Sequence, residues 1–92
     1  MIRAFKHQGL KAFFESGSTR GIQAHHKQRT GDILDLLNAA KVPSDMNFPG
    51  SFLHPPKENL KGYWAVRVSG NWRIVFQFLH GDAFVIDYVD YH

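Results

Sequence analysis

Three stretches of alternating apolar residues crowd the last third of the chain: Tyr63–Val68, Trp72–Leu79 and Ala83–Tyr91. Ser69-Gly70-Asn71 separates the first two, and a turn at Gly81-Asp82 separates the last two. Period-two alternation reads as β-strand, and connections this short allow only antiparallel neighbours. Whatever precedes them must therefore cover one face of a three-stranded meander.

The preceding residues supply that cover. Ile2 to Phe5 is a short apolar stretch that reads as a strand. From His7 to Ser16, Leu10, Phe13 and Phe14 recur at helical spacing, and Gly17 is placed as a C-terminal cap. A second helix is expected from about Gln23 to Ala40, with Ile33, Leu34 and Leu37 as its apolar stripe and Val42-Pro43 as its stop. Its basic first half, His25-His26-Lys27-Gln28-Arg29, is expected to face water or an anionic surface. Ser44 to Leu60 holds Pro49, Pro55 and Pro56 and reads as an irregular loop, long enough to suggest function. The expected architecture is α+β in the order β-α-α-β-β-β, with two helices on one face of a mostly antiparallel four-stranded sheet and residues 1–92 forming one domain.

Composition narrows the chemistry. Of the 92 residues, 43% are hydrophobic and 21% charged, the balance of a packed globule and not a disordered tail. The net charge of +3 fits an anionic partner such as nucleic acid or an acidic protein. The absence of Cys excludes disulfides, thiolate zinc sites and a cysteine nucleophile. The N-terminal residues hold no apolar signal-peptide core, and no run reaches membrane-spanning length, so the expected location is cytoplasmic with no membrane contact.

A two-residue Gly81-Asp82 loop would pair His80 with Ala83 and Arg73 with Asp90. Trp72, Ile74, Phe76 and Phe78 then share the core face with Val85 and Val89. Arg73, Val75, Gln77, Phe84, Ile86, Tyr88 and Asp90 take the open face. In the first hairpin a two-residue loop would bury Arg67, so a three-residue loop around Gly70 is expected, which sets Arg67 beside Arg73. The open face thus gathers two guanidinium groups, with Arg67 and Tyr88 as candidate substrate-binding residues.

An acid, a phenol and an imidazole, Asp90-Tyr91-His92, follow on the last strand, and the Pro-rich loop carries His54 and Lys57. Cleaving RNA through its own 2′-hydroxyl needs a base for that hydroxyl, positive charge on the non-bridging oxygens and an acid for the leaving 5′ oxygen. His54 and His92 exchange protons near neutral pH; Arg73 offers a planar fork and Lys57 a compact cation. The scheme requires no metal and no cofactor. The plainer readings stay open beside it. An Arg–Asp cross-strand pair is most often a surface ion pair worth at most about 1 kcal/mol, and a His in a Pro-rich loop is more often merely solvated.

The tract His54-Pro55-x-Lys57, Gly62-Tyr63-Trp64-x-Val66-x-Val68, Asn71-Trp72-Arg73-Ile74-x-Phe76, Gly81-Asp82-Ala83 and Asp90-Tyr91-His92 resembles the HigB toxins of the RelE/ParE superfamily. Met1-Ile2-Arg3-x-Phe5-Lys6-His7-x-Gly9-Leu10-Lys11 resembles them too, and the likeness is weakest from Ser18 to Phe52. The resemblance implies a toxin of a type II toxin–antitoxin system: a ribosome-dependent endoribonuclease that cuts messenger RNA in the ribosomal A site, leaving a 2′,3′-cyclic phosphate and a 5′-hydroxyl. It maps His54, Lys57, Arg73, Asp90, Tyr91 and His92 onto the family's active-site positions. Lys27 and Arg29 become candidate contacts to ribosomal RNA, against the plainer reading of a solvated helix face. The implied partner is a HigA-like helix-turn-helix antitoxin, forming a heterotetramer and touching operator DNA only through that antitoxin. The family usually reads His-Pro-Leu-Lys-Gly-Asp where this chain has His54-Pro55-Pro56-Lys57-Glu58-Asn59, so an acid stands beside Lys57 and the loop is stiffer. Two other classes compete: a non-enzymatic inhibitor of DNA gyrase like the ParE toxins, and a plain RNA-binding module.

Overall fold

The computed structural model describes residues 1–56 and 62–91. Helix α1 (Gln8–Ser16) begins where His7 Nδ1 accepts the Leu10 amide at 3.1 Å, and it ends at Gly17, whose φ of 77° closes a bond to the Phe13 carbonyl. The expected cap is therefore in place. Gly9 is needed for a different reason. A Cβ there would stand 2.9 Å from the Gly21 Cα, so the loop after α1 folds back against the helix start.

The second helical segment is a 3-10 turn, Ala24–His26, running into α2 (Lys27–Ala39). This corrects the expected solvated start. His26 is 1% exposed and shares a 2.5 Å hydrogen bond with the Tyr88 hydroxyl. The tighter turn swings one imidazole of the His25-His26 pair inward, where a partner satisfies it. Ile33, Leu34 and Leu37 form the buried stripe as expected, packed with Leu10, Met46, Val66, Ile74, Phe76 and Ile86 in one core.

The sheet has three antiparallel strands in the order β1 (Tyr63–Ser69), β2 (Trp72–Leu79) and β3 (Asp82–Asp90). The first hairpin has the expected register: Val66 opposes Ile74 and Arg67 opposes Arg73, with an irregularity between Arg67 and Ser69. The second does not. Its turn is His80-Gly81, with φ of 51° and 81°, closing a Leu79–Asp82 pair, a combination that fits the mirror-image two-residue hairpin turns. A bulge follows at Val85, whose φ is 54°, and the register shifts there. Moving the turn by one residue leaves Ala83 on the core face. The bulge then inverts everything after it. Ile86 and Tyr88, expected on the open face, are buried among the core residues, while Val85 and Val89 turn outward. Asp90 stands opposite Trp72, not Arg73, whose partner is Val89.

The expected fourth strand is also corrected. The N-terminal stretch meets β3 at two isolated parallel bridges, Ile2 to Ala83 and Phe5 to Ile86. Bonds such as Arg3 N to Ala83 O (2.8 Å) and Lys6 N to Ile86 O (2.8 Å) flank the Val85 bulge, which interrupts the ladder between them. The fold is α+β with a three-stranded sheet among the described residues. No described helix is long and apolar enough to cross a membrane.

Candidate active site on the open face of the sheet

Alternation on β1 and β2 sends Tyr63, Ala65 and Arg67 and then Arg73, Val75 and Gln77 away from the helices. Two cross-sheet rows result. One runs from His54 through Ala65 and Val75 to Asp87, and the next, about 7 Å along the strands, runs from Arg67 through Arg73 to Val89. Tyr91 extends the same face, its amide donating to the Asn71 carbonyl at 2.8 Å. Tyr91 is thereby pinned to the turn that Arg73 also grips, since Arg73 Nη1 donates to Gly70 O at 2.7 Å and Trp72 O at 3.0 Å.

Arg67 and Arg73 are like charges directly opposed across an antiparallel pair, an arrangement that costs stability. Each has found an outlet. Arg73 turns to the hairpin carbonyls, and the Arg67 guanidinium lies 5.5 Å from the Phe52 ring centroid. Arg73 Nε is buried with no hydrogen-bond partner among the described residues.

The Pro-rich loop is fastened along the outer edge of β1. His54 exchanges both backbone bonds with Ala65, at 3.1 and 2.7 Å, and the Arg67 amide donates to Ser51 O at 2.7 Å. Phe52 adopts φ of 48°, a costly conformation for a non-glycine residue. That bend delivers its carbonyl to His54 Nδ1. A carbonyl only accepts, so Nδ1 is the donor in this contact and Nε2 is left facing away from it.

Arg29 departs from the solvated-face reading. Its Nη2 donates to Gly50 O at 2.8 Å and to Arg67 O at 3.3 Å, and its guanidinium lies 5.1 Å from the Phe48 ring centroid. It clamps the loop to β1, whereas Lys27 is exposed. Tyr88, the candidate substrate contact, is 5% exposed and stacks on Trp72 with centroids 4.5 Å apart. Burial raises its hydroxyl above the usual phenol range, so it is a neutral partner for His26. Asp90 shares the side of Trp72 and Tyr88, so it and Tyr91 look to opposite faces. Lys57 and His92 lie outside the described residues. They follow Pro56 and Tyr91 in sequence, and both of these line a groove of about 230 Å³ on the open face.

The roles of Phe52 and Arg29, and the outward turn of Val85 and Val89, escaped the sequence. Arg29 had a legible signal only in its charge, and Phe52 and Val85 had none, since neither residue type favours a left-handed backbone.

The family description "RelE-like toxin of type II toxin-antitoxin system HigB" matches residues 3–92. A protein of Proteus vulgaris named Endoribonuclease HigB is 45% identical over 92 residues, the full length of both chains. Toxin HigB-1 of Vibrio cholerae serotype O1 is 32% identical over 94 residues, covering all of this chain and 98% of the relative. With the match running nearly end to end, the chain belongs to the HigB-like family of RelE-like toxins of type II toxin–antitoxin systems.

Proposed function

We propose that the chain is a metal-independent endoribonuclease that cuts messenger RNA engaged in the ribosomal A site. One of its full-length relatives is named an endoribonuclease. The observation that carries the reading is the opposition of Arg67 and Arg73 beside the pinned Tyr91. A phosphodiester laid across the two guanidinium groups converts an unfavourable pairing into bidentate anion binding.

The step is a transesterification. The 2′-oxygen forms a bond to phosphorus as the bond from phosphorus to the 5′ oxygen breaks. One imidazole takes the 2′-hydroxyl proton and another returns a proton to the leaving oxygen. The products are a 2′,3′-cyclic phosphate and a 5′-hydroxyl. His54, whose Nδ1 is occupied by the Phe52 carbonyl so that Nε2 is the nitrogen left for substrate, suits the base, and His92 the acid. Arg73 and Lys57 neutralise the phosphate, Arg67 binds the neighbouring backbone, and Tyr91 positions the nucleotide. Asp90, on the far side of the tip from Arg73, acts by orienting the tip. Lys27 is the better candidate for ribosomal RNA, since Arg29 is committed to the loop.

A toxin of this kind works against an antitoxin partner. We propose a helix-turn-helix antitoxin of the HigA class, forming a heterotetramer that meets operator DNA only through the antitoxin, with the toxin acting in the cytoplasm. Expressing the wild type and His92→Gln and mapping messenger RNA 5′ ends tests the reading. New 5′-hydroxyl ends inside translated frames are expected for the wild type, and none for a variant that still folds and binds antitoxin. Full toxicity in His92→Gln overturns the assignment.

A further inference from the structure

The open-face groove extends well beyond Tyr91, the one described side chain of its lining that the scheme above uses. It follows β3 from Tyr91 past Val89 and Asp87 to Val85, with Val75 and Tyr63 on the neighbouring strands and Lys6 on the N-terminal stretch. Val89, the cross-strand partner of Arg73, marks its phosphate-proximal end.

Three features of this groove fit a flat heteroaromatic ring. Its lining is apolar in the middle and carries two phenol rings: Val75, Val85 and Val89 with Tyr63 and Tyr91. Every nucleobase has a π-face that such a slot accepts. Along its rim, Lys6 Nζ and Asp87 Oδ2 stand 3.8 Å apart, offering one donor and one acceptor side by side. Base edges present that complementary pattern. Asp87 is held in place, because its Oδ1 accepts the Tyr88 amide at 2.9 Å. Lastly, the slot exists only because of the bulge at Val85, a β-branched residue at φ of 54°. Such strain persists where surrounding structure enforces it, and bulges recur beside active sites because they re-aim side chains. Here the bulge turns Val85 and Val89 out of the core and into the groove.

We propose that this groove is a nucleobase subsite, which takes the base of one nucleotide flanking the scissile phosphate and reads its edge with Lys6 and Asp87. The proposal rests on the ribonuclease reading and adds the origin of its sequence preference. An apolar side chain of the antitoxin is the competing occupant, less suited to the donor–acceptor rim.

The test compares cleavage-site profiles, from mapped 5′ ends on translated messages, for the wild type, Asp87→Asn and Val75→Phe. Asp87→Asn is nearly isosteric and keeps the fold. It is expected to shift base preference at one fixed position beside the cut by about 5- to 150-fold, the range for one bidentate base contact. Val75→Phe fills the slot and is expected to raise KM, with thermal unfolding confirming that it folds. Wild-type profiles in both variants overturn the subsite while the ribonuclease reading survives. Unaltered profiles with antitoxin binding lost assign the groove to the antitoxin instead. Absence of any cleavage by the wild type overturns the ribonuclease reading itself, and the subsite falls with it.

Discussion

The two faces of the sheet are built from the same strands and obey opposite rules. On the helix side, Ile74, Phe76 and Ile86 are fully buried, and His26 and Tyr88 satisfy each other at 2.5 Å, with the Thr30 hydroxyl the buried group left without a partner among the described residues. On the open side, two arginines face one another, Arg73 Nε is left without a partner among the described residues, and Phe52 and Val85 hold left-handed backbone conformations. Alternation along a strand lets one face supply stability while its neighbour, one residue away, accumulates charge and strain. The contrast teaches that like-charge opposition and a strained, bulged strand are tolerated on the face where RNA chemistry is proposed, while the other face is given over to packing.

Substitutions can break this division. The largest effect is expected from the helix side: Phe76→Ala should destabilise by about 3–5 kcal/mol, read as a shift in the urea midpoint, because it empties a fully buried site. Arg73→Ala should lower cleavage by roughly 10²–10³-fold, by removing a donor aimed at developing charge. Its stability cost should stay near 1 kcal/mol, the worth of its bonds to the turn. If Arg73→Ala unfolds the protein as Phe76→Ala does, the division is wrong. Tyr88→Phe should cost about 1–3 kcal/mol by stranding the His26 ring nitrogen, and should leave cleavage per folded molecule intact. A loss of cleavage there would return Tyr88 to the substrate side.

The smallest effect sharpens the contrast through pH. Burial, and then the neighbouring charge of His25, hold His26 below the ordinary imidazole range. The unfolded chain then binds the extra proton more readily, so stability rises with pH. The contribution should be complete above about pH 6.5, the unfolded value, and should decline as the pH falls below it. His26→Gln should flatten that slope in thermal unfolding while leaving cleavage per folded molecule in place.

How far the sequence reveals this arrangement depends on what decides each element. Helix α1 is legible because Gly17 and the Leu10, Phe13 and Phe14 spacing are local signals. The facing of Arg67 and Arg73 is legible because the alternative register would bury a guanidinium, a cost large enough to choose between registers. The positions of Ile86, Tyr88 and Asp90 are not legible. They depend on a bulge at Val85, a residue type that disfavours the required backbone, and on a turn placed at His80-Gly81 where Gly81-Asp82 fits the local pattern equally well. The apolar stretch Ile2–Phe5 does read as a strand, but the same bulge splits its ladder into two bridges. His26 looks solvated until Tyr88, 62 residues away, arrives to bond it. In the site, Arg73 is found on the open face where strand alternation sets it, and His54 is held beside that face by the loop's bonds to β1. Tyr91 reaches the same face only because the Val85 bulge inverts the strand after it. Arg29 is misread because a charged side chain's backbone partners cannot be seen from its own segment.

The most direct test of the open face as a metal-independent RNA-cleaving surface is the end chemistry of the products, determined on translated messages with excess chelator present. The account predicts 5′-hydroxyl and 2′,3′-cyclic phosphate ends from the wild type, undiminished by chelation and lost in Arg73→Ala that retains its fold. Ends bearing a 5′-phosphate, or cleavage that persists at the wild-type rate in Arg73→Ala, would contradict it.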